Sequence, residues 1–258
     1  MKNSKAPSSV SLVIPMFNEE ESIEHAIACA VEALEPLGGD YEILIVDDAS
    51  TDRSAEIVRA EMAANPRIRL LQHEVNRKLG GALKTGYGAA TKEVVVYMDA
   101  DLPFDPEVIG RAMRALHVTR ADMIAGYRLD RTTEGFRRTV YSYLYNTLIG
   151  LLFGWPHRDI NFSFKLMRRE VLEAVELKAE GSLIDAELVV KARNLGFVIQ
   201  QLGLDYFPRS RGASTLSSPA VILKIFRELI QLYPEMKHPR RRQPAHEPEA
   251  VPAGPAYS

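Results

Sequence analysis

Several things are scarce in this sequence, and each scarcity narrows the reading. Cys29 is the single cysteine among 258 residues, so no intrachain disulfide can form, and a lone thiol in a helical pattern reads as core packing. No stretch reaches about 18 consecutive apolar residues, so no membrane-spanning helix is expected. The nearest approach, Val140 to Trp155, is interrupted by Ser142, Asn146 and Thr147. The opening residues, MKNSKAPSSV, lack the apolar centre of a secretory signal, which makes the cytoplasm the expected compartment. Charge of one sign is also missing. A formal net charge of -2 with 26% charged residues gives no basis for a nucleic-acid partner.

Two common phosphate-binding patterns are absent as well. Gly81-Ala-Leu-Lys-Thr-Gly86 has the glycine spacing of a P-loop, but Tyr87 stands where the phosphate-gripping lysine belongs. The turn after the first strand reads PMFNEE, so the dinucleotide fingerprint G-x-G-x-x-G is missing too.

What is present is an alternation of strand and helix. Strands are expected at Val10 to Ile14, Tyr41 to Val46, Arg67 to Leu71, Val94 to Met98 and Met123 to Gly126. Helices are expected at Glu19 to Leu34, from a Ser50 or Thr51 cap to Ala64, and at Gly81 to Ala90 and Pro106 to Val118. Near-continuous Val, Ile and Leu strands between helices indicate an α/β fold, a mostly parallel sheet with helices on both faces. The second half adds the apolar Val140 to Trp155 segment, a strand in Asn161 to Met167, a helix near Ile184 to Leu195, a strand in Val198 to Phe207 and a last amphipathic helix, over about 217–233. One domain over 10–235 is expected, with a flexible start at 1–9 and a disordered tail at 236–258. The regular alternation ends near 128, and a more irregular second half covers 129–235.

Ligands bind outside the carboxyl ends of strands in such sheets. Asn18, Asp47, Asp48, Asp99, Asp101 and Arg128 all follow strand ends. Side chains at i and i+2 of an extended segment share a side, so Asp99 and Asp101, separated by the small Ala100, are expected to converge. Two close carboxylates repel unless a cation intervenes, and hard oxygen ligands favour Mg²⁺ or Mn²⁺ completed by substrate phosphates.

The strings VIPMFNEE, VDDASTD, NRKLGGALKTGYGAA, MDADLP, DINFSFKLMRREVL and PRSRGAS, in this order, resemble the family 2 glycosyltransferases, and within them the polyprenyl- or dolichyl-phosphate hexosyltransferases. The resemblance implies the GT-A nucleotide-diphosphosugar transferase fold and a metal-dependent, inverting transfer of a hexose. The implied donor is a nucleotide diphosphate sugar of the GDP-mannose or UDP-glucose type, and the acceptor a polyprenyl phosphate at the cytoplasmic membrane face. It implies that Pro15, Asn18, Glu19, Asp47, Asp48 and Ser50 line the nucleoside pocket. Asp99, Ala100, Asp101 and Arg128 complete the donor site, with Asp99 and Asp101 on the metal. Arg128 matches the family arginine in Gly126-Tyr127-Arg128. Lys165, Arg168, Arg209, Arg211 and Ser214 are the implied acceptor residues, with Asp101, Arg128 and Arg209 closest to the chemistry. Two departures stand out: Thr215 replaces the usual lysine of the PRSRGAS loop, and Ser163 replaces a family glycine.

Asp185 and Glu187 fall where other members of the broader family carry a base for a hydroxyl acceptor. An alternative is therefore transfer to a sugar hydroxyl with one of them as base, and another is a non-catalytic nucleotide-sugar-binding module. The apolar stripes of 140–155 and of the last helix suit a membrane surface, a homo-oligomer or the core, which makes peripheral attachment without a span the expected mode.

Overall fold

The computed structural model describes residues 9–130, 136–154, 157–206 and 219–242. Seven strands form one sheet in the order β3-β2-β1-β4-β6-β5-β7. They are β1 (Ser9–Met16), β2 (Asp40–Asp47), β3 (Ile68–Gln72), β4 (Val94–Met98), β5 (Met123–Arg128), β6 (Phe164–Arg168) and β7 (Ile199–Leu204). All pairings are parallel except those of β6, which runs antiparallel to both β4 and β5. The beginning of β6 therefore lies at the edge where the other six strands end. That edge carries the candidate site.

Alternation along the strands divides the core into two layers. Val94, Val96 and Met98 face one way, with Leu12, Ile14, Phe164 and Leu166, against α1 (Ile23–Leu34), α2 (Ser54–Ala64) and α4 (Val108–Val118). Val95 and Tyr97 face the other way, with Val13 and Met167. That second layer is covered by α3 (Lys78–Ala89), α5 (Phe136–Phe153), the short α6 (Arg169–Ala174), α7 (Ile184–Asn194) and α8 (Pro219–Lys237). Both faces of the sheet are thus buried, which is why β4 at its centre, VVVYM, is a continuous run of apolar and aromatic residues.

The glycine-rich stretch from Gly80 to Gly86 lies inside α3 and forms no phosphate loop. Its glycines serve close packing. A Cβ at Gly80 would meet the Ala179 carbonyl oxygen at 2.4 Å, and one at Gly86 would meet Val13 at 2.3 Å.

Four expectations need correction. Cys29 is only partly buried, on α1, with its Sγ 3.6 Å from the His25 ring nitrogens, so it is not a core residue. Neither Ser50 nor Thr51 caps α2, which starts at Ser54, two or three residues later than such a cap implies, and the Asp52 carboxylate accepts the Ser54 N–H at 3.0 Å. The expected tail boundary at 236 falls inside α8. Met236 is fully buried and Arg242 N–H donates to the Ala174 carbonyl at 2.9 Å, so packing continues through 242. Finally, β4 stops at Met98 and the chain turns at Ala100 and Asp101, with Leu102 at φ 48. The extended-segment reasoning that paired Asp99 with Asp101 does not apply to a turn. Residues 1–8 and 243–258 lie outside the described residues.

Candidate active site

The loops after β1 and β2 are tied together by short polar side chains. Asn18, itself at φ 56, accepts the Thr51 N–H at 2.8 Å and donates its own N–H to Ser50 Oγ at 2.9 Å. Glu19 N–H donates to Ser54 Oγ at 2.8 Å, and Glu20 N–H to Asp52 at 3.1 Å. Burial pushes the Asp52 carboxyl upward, but hydrogen bonds from Ser54 and the Glu20 backbone outweigh it and leave the group below its usual range. Pro15 is partly exposed at the end of β1 beside these loops.

Asp47 and Asp48, expected to meet a nucleoside, are largely engaged by the protein. Asp47 Oδ1 accepts the Ser50 N–H and its Oδ2 accepts the Gln72 amide, both at 2.9 Å. Asp48 Oδ1 pairs with His73 Nδ1 and accepts the Arg77 N–H, each at 2.7 Å, and His73 Nε2 meets Thr85 Oγ1 at 2.9 Å. Both carboxylates are buried. They fix the turn after β2 and the entry into α3.

Asp99 continues the 95, 97, 99 alternation on the α7 side of the sheet, and the Tyr97 hydroxyl donates to its Oδ1 at 2.9 Å. Asp99 and Asp101 are both partly exposed, flanking the buried Ala100 in the turn after β4. Among the described residues no group of three or more His, Cys, Asp or Glu side chains can hold a metal ion. Two hard carboxylates at an open strand edge nevertheless fit a Mg²⁺ or Mn²⁺ ion that takes its remaining oxygens from a diphosphate.

Arg128, at the end of β5, grips Asp159 through two parallel bonds, Nε to Oδ2 at 2.6 Å and Nη2 to Oδ1 at 2.8 Å. Both side chains are buried, and the guanidinium stacks 5.2 Å from the Tyr206 ring centroid and 5.6 Å from that of Phe162. The ion pair is sealed from solvent rather than lying at the surface. Close beneath, His157 Nδ1 accepts the Asp159 N–H at 3.2 Å. Burial, and then the Lys165 charge, pull its imidazole down to about 3 against the pull of Asp159.

Lys165 opposes Tyr97 across β6 and β4. It is fully buried, with its Nζ donating to the Phe162 carbonyl and lying 3.0 Å from Asp185 Oδ1. Asp185, in the first turn of α7, is 2% exposed. Burial raises its carboxyl, Lys165 pulls it back and Asp159 adds to the rise, with a net shift upward. Its negative field, with that of Asp99, adds to burial in holding the Tyr87 and Tyr97 phenols well above their usual range.

The structure separates the other two named residues from this cluster. Positions two apart on a helix point to different sides, so Glu187 faces away from Asp185. It accepts the N–H groups of Lys178 and Ala179 at 2.8 to 3.0 Å and pairs with Lys191 Nζ at 2.6 Å, clamping the loop before α7. Arg168 ends β6 and is in register with Val94, the first residue of β4. Because β6 is reversed, Arg168 lies at the opposite edge of the sheet from the site, and its assignment to the acceptor pocket is corrected. Arg209, Arg211 and Ser214 lie outside the described residues, as does Trp155.

Asp159 and Tyr97 went unassigned in the sequence, and His157, which stands where a basic flank of the apolar 140–155 segment is expected at a membrane surface, is instead buried. Tyr97 had a signal, since it precedes Asp99 by two residues on one strand face. Asp159 had a weaker one, within DINFSFK.

The family model of glycosyl transferase family 2 matches residues 11–176. The chain is 35% identical over 177 residues to an undecaprenyl-phosphate 4-deoxy-4-formamido-L-arabinose transferase of Edwardsiella ictaluri, covering 68% of this chain and 54% of that protein. It is 31% identical over 207 residues to glycosyltransferase AglD of Haloferax volcanii, covering 78% and 33%. The chain thus spans about half and a third of these relatives' lengths. Among solved structures, glucosyl-3-phosphoglycerate synthase from Mycobacterium tuberculosis in complex with Mn²⁺, uridine diphosphate and phosphoglyceric acid superposes with a TM-score of 0.69 at 20% identity, covering 89% of this chain and 80% of that one. The same synthase with phosphoglyceric acid alone gives 0.67 at 21%, covering 90% and 81%. The fold is of the GT-A type.

Proposed function

Since the chain belongs to glycosyl transferase family 2, we propose that it moves a hexose, with inversion, from a nucleotide diphosphate sugar to a polyprenyl phosphate at a membrane surface. The observation that carries the acceptor class is the sealed Lys165–Asp185 pair. A hydroxyl acceptor needs a base within reach of its proton. Asp185 is buried behind its cation, and Glu187 is saturated by two backbone N–H groups and Lys191. A lipid phosphate is already anionic near neutral pH and needs cations instead. The Edwardsiella relative, whose name specifies undecaprenyl phosphate, supports the lipid-phosphate acceptor, while the sugar in its name is an arabinose, a pentose.

On this reading Asp99 and Asp101 hold a Mg²⁺ or Mn²⁺ ion, which when bound offsets the charge growing on the leaving diphosphate. Manganese and uridine diphosphate are present in the similarly folded synthase. The chain's own residues supply the rest. The Asn18–Ser50–Thr51 latch shapes the nucleoside side, the buried Asp159 orients Arg128 at the strand edge, and Lys165 sets a fixed positive charge behind the site. Arg209, Arg211 and Ser214 are the proposed additional contacts to the acceptor phosphate.

The raised carboxyl of Asp185 favours a second reading, in which that residue is a base toward a sugar hydroxyl. One experiment separates them. Purified protein is incubated with radiolabelled GDP- and UDP-sugars, Mg²⁺ or Mn²⁺, and vesicles carrying polyprenyl phosphate. Label entering the organic phase supports transfer to lipid, whereas label confined to water-soluble glycans overturns it in favour of the hydroxyl acceptor.

A further inference from the structure

Tyr97 has no place in the reaction described so far, yet its hydroxyl is aimed at a residue that does. We propose that Tyr97 is a positioning residue whose phenol fixes the Asp99 carboxylate for the divalent cation. The inference deepens the donor-site reading and rests on it.

The bond is 2.9 Å from the Tyr97 hydroxyl to Asp99 Oδ1. The ring is 1% exposed and cannot swing. On β4 it lies in register with Val13 of β1 on one side and Lys165 of β6 on the other. Leu83 of α3 and Ile184 and Leu188 of α7 belong to the same packed layer. A buried hydroxyl in such a layer costs free energy unless it is bonded, and Asp99 is the acceptor that satisfies it. For packing alone a phenylalanine would serve.

The consequence falls on Asp99. It stands just past the last strand residue, where the backbone no longer holds a side chain by ladder bonds, and an aspartate there can occupy several rotamers. A donor anchored to the core selects one of them. Hydrogen-bond partners behind a metal-binding carboxylate commonly set affinity by 10- to 100-fold. Tyr87 provides an internal comparison, because it lies in the same layer and its buried hydroxyl has no hydrogen-bond partner among the described residues.

The test is Mn²⁺ binding, read by electron paramagnetic resonance as free Mn²⁺ is depleted, in the presence of UDP or GDP and without any turnover. Four proteins are compared with wild type. Asp99→Asn is expected to abolish nucleotide-dependent Mn²⁺ uptake, Tyr97→Phe to weaken it about tenfold, and Tyr87→Phe to leave it unchanged. Tyr97→p-aminophenylalanine, which keeps an N–H donor on the same ring, is expected to restore it. If Asp99→Asn loses binding while Tyr97→Phe matches wild type, or if both Tyr97 variants are equally weak, the positioning role is overturned and the donor site stands. If Asp99→Asn binds Mn²⁺ as wild type does, the donor-site reading itself fails.

Discussion

Lys165 Nζ and Asp185 Oδ1 lie 3.0 Å apart with both side chains closed off from solvent, which ties the sixth strand to the first turn of α7. Removing one partner of a buried pair leaves a charge stranded, at a cost of about 3–5 kcal/mol. Asp185→Asn is expected to lose stability on that scale in denaturant titration. Its lipid-directed transfer, measured below the new melting temperature, is expected to persist. A drop of about 10²- to 10⁴-fold in kcat with a folded protein would instead identify Asp185 as the base.

Glu187→Gln tests the loop clamp. The variant keeps an acceptor for the Lys178 and Ala179 N–H groups but loses the charge opposite Lys191, so unfolding is expected at lower denaturant with kcat and KM unaltered. A selective fall in kcat would contradict a purely structural role.

Arg168→Ala is expected to leave donor and acceptor KM where they are, since Arg168 ends its strand beside the start of β4. A raised acceptor KM would overturn the edge assignment.

His157 makes stability depend on pH in a defined window. Its imidazole titrates near 6.5 when unfolded and is pulled to about 3 in the fold, so between those values the unfolded chain binds the extra proton. The stabilisation from keeping His157 neutral is complete above about 6.5 and is lost as pH falls toward 3, with a slope approaching ~1.4 kcal/mol per unit. His157→Gln should flatten this acid limb in equilibrium unfolding; an unchanged limb would place its origin elsewhere.

Membrane contact makes a separate prediction. Among the described residues no helix is long and apolar enough to cross a bilayer, yet Tyr143 and Leu151 of α5 are 70% and 80% exposed and Ile230 of α8 is 74% exposed. Replacing Leu151 and Ile230 by Ser is expected to reduce sedimentation with anionic vesicles while leaving nucleotide-dependent Mn²⁺ uptake intact. Undiminished sedimentation would remove these faces as the contact.

Much of this architecture was readable in advance because its strands are short apolar runs buried on both sides, as in VVVYM. The reversal of β6 was not, since FKLMR has the same alternation in either direction and only its partners fix its sense. That one unknown misplaced Arg168. The Arg128–Asp159 pair was hidden for another reason: the residues are 31 positions apart, and no local pattern joins them. Glu187 was legible in principle, because helical spacing already separates it from Asp185. At Asp99 and Asp101 the residue types marked the end of β4 as a candidate corner, while the turn that carries them depended on Leu102 adopting a positive φ.

The reversed strand also sets what can be rebuilt. Segments grafted between β5 and β6 leave and re-enter the sheet at the edge of the candidate site, whereas those spliced in directly after Arg168 start from the far rim, about a strand's length away. A redesign aimed at a different recipient molecule therefore has an insertion point ahead of Phe164, whereas material added directly after Arg168 would leave that edge of the sheet as it is.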